Sequence, residues 1–254
     1  MRESEETISF HLVPADGAPL PAFRPGQYVS VKVHPPGCPY EQIRQYSLSQ
    51  APNGRDYRIS VKREAAPNLP AGLVSTFLHD AVPEGGTLLV HAPVGDFVLD
   101  EDNEGPVVLM SGGAGITAVL AMLEHLATRT AREVLMLHGV RSRGHHAFAG
   151  RVRELAALRP GIRSVTLYEA VGAGDVPGEH HDAVGRITAE VIRQHLPEGE
   201  AHVYYCGPIG FMTAAELALD ELGIPSARRH SEAFAPDPSF VTGSPDPKLR
   251  GEAA

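Results

Sequence analysis

Residues 107–117 read VVLMSGGAGIT, an apolar run that passes through a glycine-rich turn into the start of a helical pattern. Continuous apolar runs of this kind are typical of strands buried in a parallel sheet. Glycines after such a strand let the backbone approach a phosphate, and the first N–H groups of the next helix attract negative charge. Because the glycines are spaced GGxG and not GxGxxG, the turn indicates either a diphosphate cradle or a tight connection.

The order of strand, loop and helix repeats after this turn. Further strands are predicted over 134–137, 165–168 and 203–205, and helices over 116–126, 148–158, 188–196 and 211–222. This alternation predicts a doubly wound parallel sheet with a ligand crevice at the carboxyl ends of its strands. Cys206, Gly207 and Pro208 follow one of these strands and are expected at that crevice. The thiol of Cys206 either borders a nicotinamide ring or is a buried structural cysteine.

The first hundred residues follow a different rhythm. Short β-branched and aromatic runs predict strands over 8–13, 27–33, 45–49, 57–62, 88–91 and 97–99, with one helix over 73–80. Such spacing predicts an antiparallel barrel or sandwich. Residues 100–105 are charged or polar and free of large apolar side chains, as in an interdomain linker. We predict an antiparallel β-barrel domain over 1–102, a nucleotide-binding α/β domain over 103–236, and a flexible tail over 237–254.

Composition excludes several classes of function. A formal charge of −9 over 254 residues, without a basic stripe, argues against a nucleic-acid partner. Apolar stretches are far shorter than the roughly 18 residues of a membrane span, and the first residues lack a signal peptide's pattern. We therefore predict a cytoplasmic protein without a membrane partner. Cys38 and Cys206 are too few for a disulfide framework or an iron–sulfur cluster.

The histidines do not predict a metal site. Among the 13 histidines are pairs at 145–146 and 180–181. Neither pair has a third ligand at metal spacing, so we interpret both as solvated loop residues. Redox chemistry would then need a bound organic cofactor.

Residues 44–47, RQYS, are the most informative segment of the first half. On a strand, Arg44 and Tyr46 would share one face, and Gln45 and Ser47 the other. A guanidinium can neutralise a diphosphate, a phenol ring can stack on a planar heterocycle, and a hydroxyl can donate to a ring nitrogen. These groups suit a flavin dinucleotide, although an ordinary exposed strand with a buried tyrosine is an equal reading of the tetrapeptide alone.

The ordered set of motifs resembles the ferredoxin–NADP reductase superfamily, and in particular the reductase half of the flavohaemoglobins, or nitric oxide dioxygenases. The resemblance covers residues 2–236. It is carried by 24–28 (RPGQY), 44–48 (RQYSL), 61–64 (VKRE), 74–75 with 78–79, 92–97 (APVGDF), 112–117, 206–212 and 231–234 (SEAF).

The resemblance implies roles for particular residues. For FAD these are Tyr28, Arg44, Gln45, Tyr46, Ser47, Val74, Ser75 and Phe234. For NAD(P)H they are Gly112, Gly113, Ala114, Gly115, Ile116, Thr117, Cys206, Gly207 and Pro208. The residues implied at the reacting centre are Tyr46, Ser47, Cys206 and Glu232. Tyr46 would lie against the flavin ring and Ser47 near its reactive nitrogen, while Glu232 tunes the flavin.

The chain also departs from the family pattern. Ala233 and Ala235 stand where Cys and Gly are usual, and Ala118 stands where Pro is frequent. Only 23 residues precede Arg24, so we expect no globin domain or haem in this chain, and a barrel with a shortened first strand.

The function expected from the resemblance is an FAD-dependent NAD(P)H oxidoreductase that receives a hydride and passes single electrons to an acceptor. The acceptor would be a separate globin or an iron–sulfur protein, with the globin favoured. The alternatives are a free-standing flavin or ferric-chelate reductase and a non-catalytic dinucleotide-binding module. Preference for NADH or NADPH stays open, because Arg141 and Arg143 either hold a 2′-phosphate or are solvated.

Overall fold

The computed structural model describes residues 1–65 and 71–234. The first half contains β1 (Thr7–Leu12), β2 (Tyr28–Val33), β3 (Gln42–Ser47), β4 (Tyr57–Lys62), α1 (Leu73–Ala81) and β5 (Leu89–Val90). Strand β1 pairs with β4, and β2 lies between β3 and β5; every one of these pairings is antiparallel.

The core of this half lies between the two small sheets and α1. Alternate residues of β2 and β4 point inward, and Val29, Val31 and Ile59 are fully buried. Val74 and Leu78, one helical turn apart, bury one face of α1 in the same cluster. The apolar spacing that predicts the helix is therefore the spacing that fixes it to the sheets.

The second half is a six-stranded sheet in the order β11-β10-β6-β7-β8-β9, with every neighbouring pair parallel. Its elements are β6 (Val107–Gly112), α2 (Ile116–Arg129), β7 (Val134–Val140), α3 (Ala149–Ala157), β8 (Ile162–Tyr168), β9 (Ala183–Val184), α4 (Ala189–His195), β10 (His202–Pro208), α5 (Ile209–Glu221) and β11 (Arg229–Phe234). Helices α2 and α3 cover one face and α4 and α5 the other. The predicted fold class, an antiparallel part followed by a doubly wound parallel sheet, is confirmed.

Three details of the strand predictions are wrong. Strand β9, which has only two residues, was not predicted. Residues 97–99 do not form a strand; instead Phe97 and Leu99 are buried against α2 and β10. Strand β11 was not predicted, because its sequence RHSEAF mixes polar residues into a strand at the sheet edge, where one side faces solvent.

The two halves are in direct contact. The rings of Phe97 and Tyr204 lie 6.2 Å apart, and the backbone N–H of Asp100 donates to the Tyr204 hydroxyl at 3.0 Å. The linker is also held, because the Arg132 guanidinium donates to the carbonyl oxygens of Asp100 and Gly105. The domain limits at 102 and 236 stay predictions, and the predicted tail over 237–254 lies outside the described residues. In the described part of the chain, no helix is long and apolar enough to cross a membrane.

Candidate functional site

Two connections meet at the carboxyl end of the parallel sheet. One is the glycine turn after β6; the other is the end of β10 at Cys206, Gly207 and Pro208, which passes directly into α5 and is called the Cys206 turn below. A Cβ placed on Gly115 would lie 1.9 Å from the carbonyl oxygen of Cys206 and 2.7 Å from the backbone nitrogen of Gly207. Only glycine permits this approach. Gly115 therefore joins the glycine turn to the Cys206 turn, a packing role that differs from contact with a phosphate.

Gly113 is the open position of the glycine turn. Its φ is +50°, and among the described residues nothing lies within 4 Å of a Cβ built there. Gly113, Ala114 and Gly115 form one 3₁₀ turn that leads into α2, whose start carries no acidic residue and, within the described ranges, no side-chain cap. The N–H of Ile116 already donates to carbonyls of this turn, so the N–H groups that remain for an anion are those at the beginning of the turn itself. The Thr117 hydroxyl already has a partner within the turn, since it donates to the Ala114 carbonyl at 3.0 Å.

Cys206 lies between two polar neighbours on adjacent strands. It pairs with Ser111 of β6 on one side and with Glu232 of β11 on the other. The thiol is fully buried, and burial, reinforced by the negative charge of Glu232, holds its pKa well above the usual value. The Cys206 side chain is therefore a neutral, polarisable thiol and not a thiolate nucleophile.

Among the three paired residues Ser111, Cys206 and Glu232, only Glu232 is an acid. Burial raises its pKa to about 7, and within the described residues its Oε2 atom is buried without a hydrogen-bond partner. An unpartnered buried oxygen of this kind is costly unless it is protonated or meets a ligand. Phe234 follows two residues later, partly buried against the same core and beside Pro208.

On the antiparallel side, β3 presents the predicted flavin residues on two faces. Register places Tyr28 opposite Ser47 and Val29 opposite Tyr46, so Tyr46 lies on the face of the buried valines and Ser47 on the other. Gln45 shares the Ser47 face, and its amide donates to the Tyr28 hydroxyl at 3.2 Å. Ser47 is 5% exposed, which keeps its hydroxyl in a sheltered position.

Tyr46 connects β3 to the start of α1. Burial raises its pKa to about 12, partly offset by the positive charge of Arg44, so the phenol stays protonated. It packs on the cluster that contains Val74. The carboxylate of Glu64 acts on the same phenol, and the Glu64 backbone N–H donates to the Ser75 hydroxyl at 3.1 Å.

The start of α1 provides a second anion site. Ser75 donates its hydroxyl to the Gly72 carbonyl at 3.0 Å and so closes the first turn. In the ranges that the structure covers, no side chain caps this helix and no acidic residue lies in its first turn. Arg44, Tyr46, Val74 and Ser75 thus surround one region next to an N-terminus that can accept a diphosphate.

Known proteins resemble this chain in sequence and in fold. Residues 109–217 match the family model of the oxidoreductase NAD-binding domain. The flavohemoprotein of Deinococcus radiodurans is 49% identical over 240 residues, which cover 94% of this chain and 58% of that protein. The solved flavohem-like FAD/NAD-binding domain of nitric oxide dioxygenase from Vibrio cholerae has a TM-score of 0.83 at 41% identity, covering 92% of this chain and 95% of that one. The chain belongs to the flavohaem-like FAD/NAD-binding domain family.

The reductase domain is therefore an FAD-dependent NAD(P)H oxidoreductase, as its motifs predict. A flavohemoglobin from Malassezia yamatoensis with bound FAD and heme is also similar, with a TM-score of 0.76 at 26% identity, covering 92% of this chain and 58% of that one. The reductase domain spans about 58% of the length of the curated relatives that it matches.

The residues present fit both dinucleotides. Each half carries one uncapped helix N-terminus for a diphosphate, at α1 and at α2. The antiparallel half adds the neutral Tyr46 phenol, and the parallel sheet adds the neutral Cys206 thiol with the unpartnered Glu232 carboxyl next to it, groups that suit a planar ring system.

The reductase domain contains polar core residues that sequence reasoning missed. His138 is fully enclosed beneath the glycine turn, and its Nδ1 lies 2.8 Å from the Ser111 hydroxyl. Burial, with a further contribution from nearby His146, lowers the pKa of His138 to about 3, so the ring is neutral. A lone histidine inside the apolar strand VLMLHGV was the available signal.

The interpretation of both histidine pairs as solvated is wrong for one member of each pair. His146 and His181 are buried at 8% and 4% exposure because both pack against the Tyr168 ring, whereas His145 and His180 are partly exposed. His146 Nδ1 lies 2.9 Å from the Tyr168 hydroxyl, and His181 stacks on the Tyr168 ring. Across residues 1–65 and 71–234, no group of three or more His, Cys, Asp or Glu side chains is arranged to hold a metal.

Proposed function

We propose that this domain oxidises NAD(P)H with bound FAD and delivers the electrons one at a time to the haem of a globin. The observation that supports it best is the contact between the glycine turn and the Cys206 turn, which aligns an anion-binding helix start with Glu232 and Cys206. When bound, FAD supplies the conversion of a two-electron donor into single-electron transfers.

The coenzyme side would work by position. The start of α2 and the open Gly113 would hold the diphosphate of NAD(P)H, with Ile116 as a buried anchor and Thr117 closing the turn. Cys206, Gly207 and Pro208 would border the nicotinamide. Loss of a hydride leaves a positive charge on the nicotinamide ring. Because the Cys206 thiol is neutral, it adds no charge of its own beside this ring.

The flavin side would be held by β3 and α1. Arg44 and the first turn of α1, with Val74 and Ser75, would neutralise the diphosphate, and the protonated Tyr46 would lie against the ring system. The Ser47 hydroxyl would donate to a ring nitrogen, while Tyr28 and Gln45, already hydrogen-bonded to each other, would form the adjoining wall. Phe234 would cover the outer face.

Glu232 would hold or release a proton at Oε2. With its pKa raised to about 7 by burial, the carboxyl changes protonation near neutral pH, where its partners in the site stay neutral. It would therefore adjust the charge beside the flavin during electron transfer.

The visible spectrum of the FAD-reconstituted protein tests the proposal. Anaerobic NADH or NADPH should bleach the bound flavin band, and a separate ferric globin added afterwards should restore it faster than a ferric chelate does. A protein that does not retain FAD, or whose flavin stays oxidised, would favour the non-catalytic module. Faster reoxidation by the chelate would favour a free-standing chelate reductase. Cytoplasmic location stays a prediction from the sequence.

A further inference from the structure

The cleft beside the glycine turn is almost filled by the protein itself. It lies between the β1–β4 pair and the start of α2, with a cavity volume of about 10 Å³. That is room for about one water molecule. Its walls include Gly113 and Ala114 of the glycine turn, and Glu6, Lys62 and His145 from outside the turn.

Glu6 places a carboxylate among three basic side chains at this cleft. Its Oε1 lies 3.7 Å from Nζ of Lys62, and its Oε2 lies 3.9 Å from Nη2 of Arg141 and 3.9 Å from Nε2 of His145. Lys62 belongs to β4, whereas Arg141 and His145 follow β7 at the crevice edge of the parallel sheet. One carboxylate therefore lies near basic side chains from both halves of the molecule.

The backbone holds Glu6 in this position. The Glu6 carbonyl accepts the N–H of Arg63 at 2.7 Å, and its own N–H donates to the Ser4 hydroxyl at 3.3 Å. The preceding residue, Glu5, donates its N–H to the Gly144 carbonyl at 2.9 Å. The segment is thus fixed to β4 and to the β7–α3 loop, which keeps the backbone of Glu6 beside the cleft.

The contacts of Glu6 are too long and too exposed to be important for stability. Its side chain is 25% exposed and that of Arg141 is 60% exposed, and pairs of this kind contribute little to folding. The charge still acts on a ligand, because a carboxylate at the wall of a narrow cleft repels an anion that approaches the mouth of the cleft.

We propose that Glu6 is a specificity-determining residue that disfavours NADPH relative to NADH. The two coenzymes differ by a 2′-phosphate, which carries about −1.5 to −2 charges near neutral pH. Arg141 lies where an arginine would hold that phosphate, after a parallel strand at the crevice, but its partner is already the Glu6 carboxylate. The inference rests on the proposed function, since it assigns the selectivity of the same cleft.

The test compares coenzyme preference in matched variants. Glu6→Gln removes the charge with little change of shape, Glu6→Asp keeps it, and Glu84→Gln removes one charge at an exposed loop position away from the cleft. The measurement is the ratio of kcat/KM for NADPH to that for NADH with FAD-loaded protein. We expect Glu6→Gln to raise the ratio about ten-fold, equivalent to about 1.4 kcal/mol. Glu6→Asp and Glu84→Gln should stay near the parent ratio.

A second pair of variants assigns the gain to Arg141. In the Glu6→Gln background, Arg141→Gln should remove most of the increase, and in the parent it should lower the ratio further. An unchanged ratio in Glu6→Gln, or an equal change in Glu84→Gln, would overturn the inference. If Glu6→Gln does not fold, an unchanged ratio in Arg141→Gln alone has the same meaning. Failure of NADH to bleach the flavin of the parent would instead reject the proposed function itself.

Discussion

Glu124 of α2 and Arg58 of β4 join the two halves through a buried ion pair, with Arg58 Nη2 3.2 Å from Glu124 Oε1. Their side chains are 10% and 9% exposed. The same carboxylate accepts the Ala51 backbone N–H at 2.9 Å and lies 2.8 Å from Nε of Arg151 on α3. One acid therefore satisfies donors from the antiparallel sheet, a connecting loop and a second helix.

Replacing Glu124 by Gln should lower the free energy of unfolding by about 3 kcal/mol, since it leaves the buried Arg58 cation without its counter-ion. Chemical denaturation of the FAD-free protein measures this. Glu154→Gln is the control, because Glu154 forms only an exposed pair with Arg151 and should change stability by about 0.5 kcal/mol or less. Equal effects of the two substitutions would contradict the role assigned to Glu124.

Gly115→Ala should separate the two turns of the coenzyme site. The added methyl would lie 1.9 Å from the Cys206 carbonyl oxygen, which requires a backbone shift. We expect about 1–3 kcal/mol of destabilisation and weaker NADH binding. Gly150→Ala is the matched control: its Cβ meets nothing within 4 Å in the described part of the chain, and it lies in the first turn of α3, so it should change stability by about 0.5 kcal/mol or less. Normal coenzyme affinity in Gly115→Ala would refute the packing argument.

Glu232 should make stability fall as the pH rises. Its pKa is about 7 in the fold and 4.5 by reference, so the folded protein binds more protons between these values. The contribution of the neutral carboxyl is complete below pH 4.5 and is lost as the pH rises through about 7. Glu232→Gln should therefore gain stability relative to the parent above pH 7, with little difference below pH 4.5. Thermal unfolding of the parent and of Glu232→Gln, measured below pH 4.5 and above pH 7, tests this prediction. The same pH dependence of stability in both proteins would show that the carboxyl is not desolvated.

His138 should act in the opposite direction. Burial holds its pKa near 3, below the reference value of 6.5, so protonation favours the unfolded chain. The contribution of the neutral His138 ring to stability is complete above pH 6.5 and is lost progressively as the pH falls toward 3. His138→Gln should flatten this acid limb, measured by urea midpoints from pH 7 to pH 4. His91→Gln, at an exposed position, should leave the limb unchanged.

The sequence predicts those parts of the fold that periodicity determines. Strand β4 is predicted with its observed limits, and α2 and α5 begin within two residues of their predicted starts, because continuous apolar runs and helical spacing are local signals. Strand β11 and the loop at 97–99 depend on distant partners, namely the edge of β10 and the surface of α2. Their local patterns therefore favour the wrong structure.

The candidate site divides in the same way. Gly113 can be predicted from the glycine-rich turn between a buried strand and a helix, whereas Ser75 and Glu232 are implied by the resemblance to the family. Glu6 and His138 became candidates only through tertiary contacts, as a carboxylate facing Lys62 across the cleft and an imidazole beneath the glycine turn. The position of Ala235 lies outside the described residues, so its departure from the family pattern stays a sequence observation.

Phe97 and Leu99 precede the linker at 100–105, yet their side chains lie within the core formed by α2, β6 and β10. The antiparallel half thus completes the interior of its neighbour. Heat that loosens one half exposes apolar surface of the other at the same moment, so the two architectures should melt cooperatively, with equal calorimetric and van't Hoff enthalpies, although their sheets share no hydrogen-bonded ladder in the described ranges.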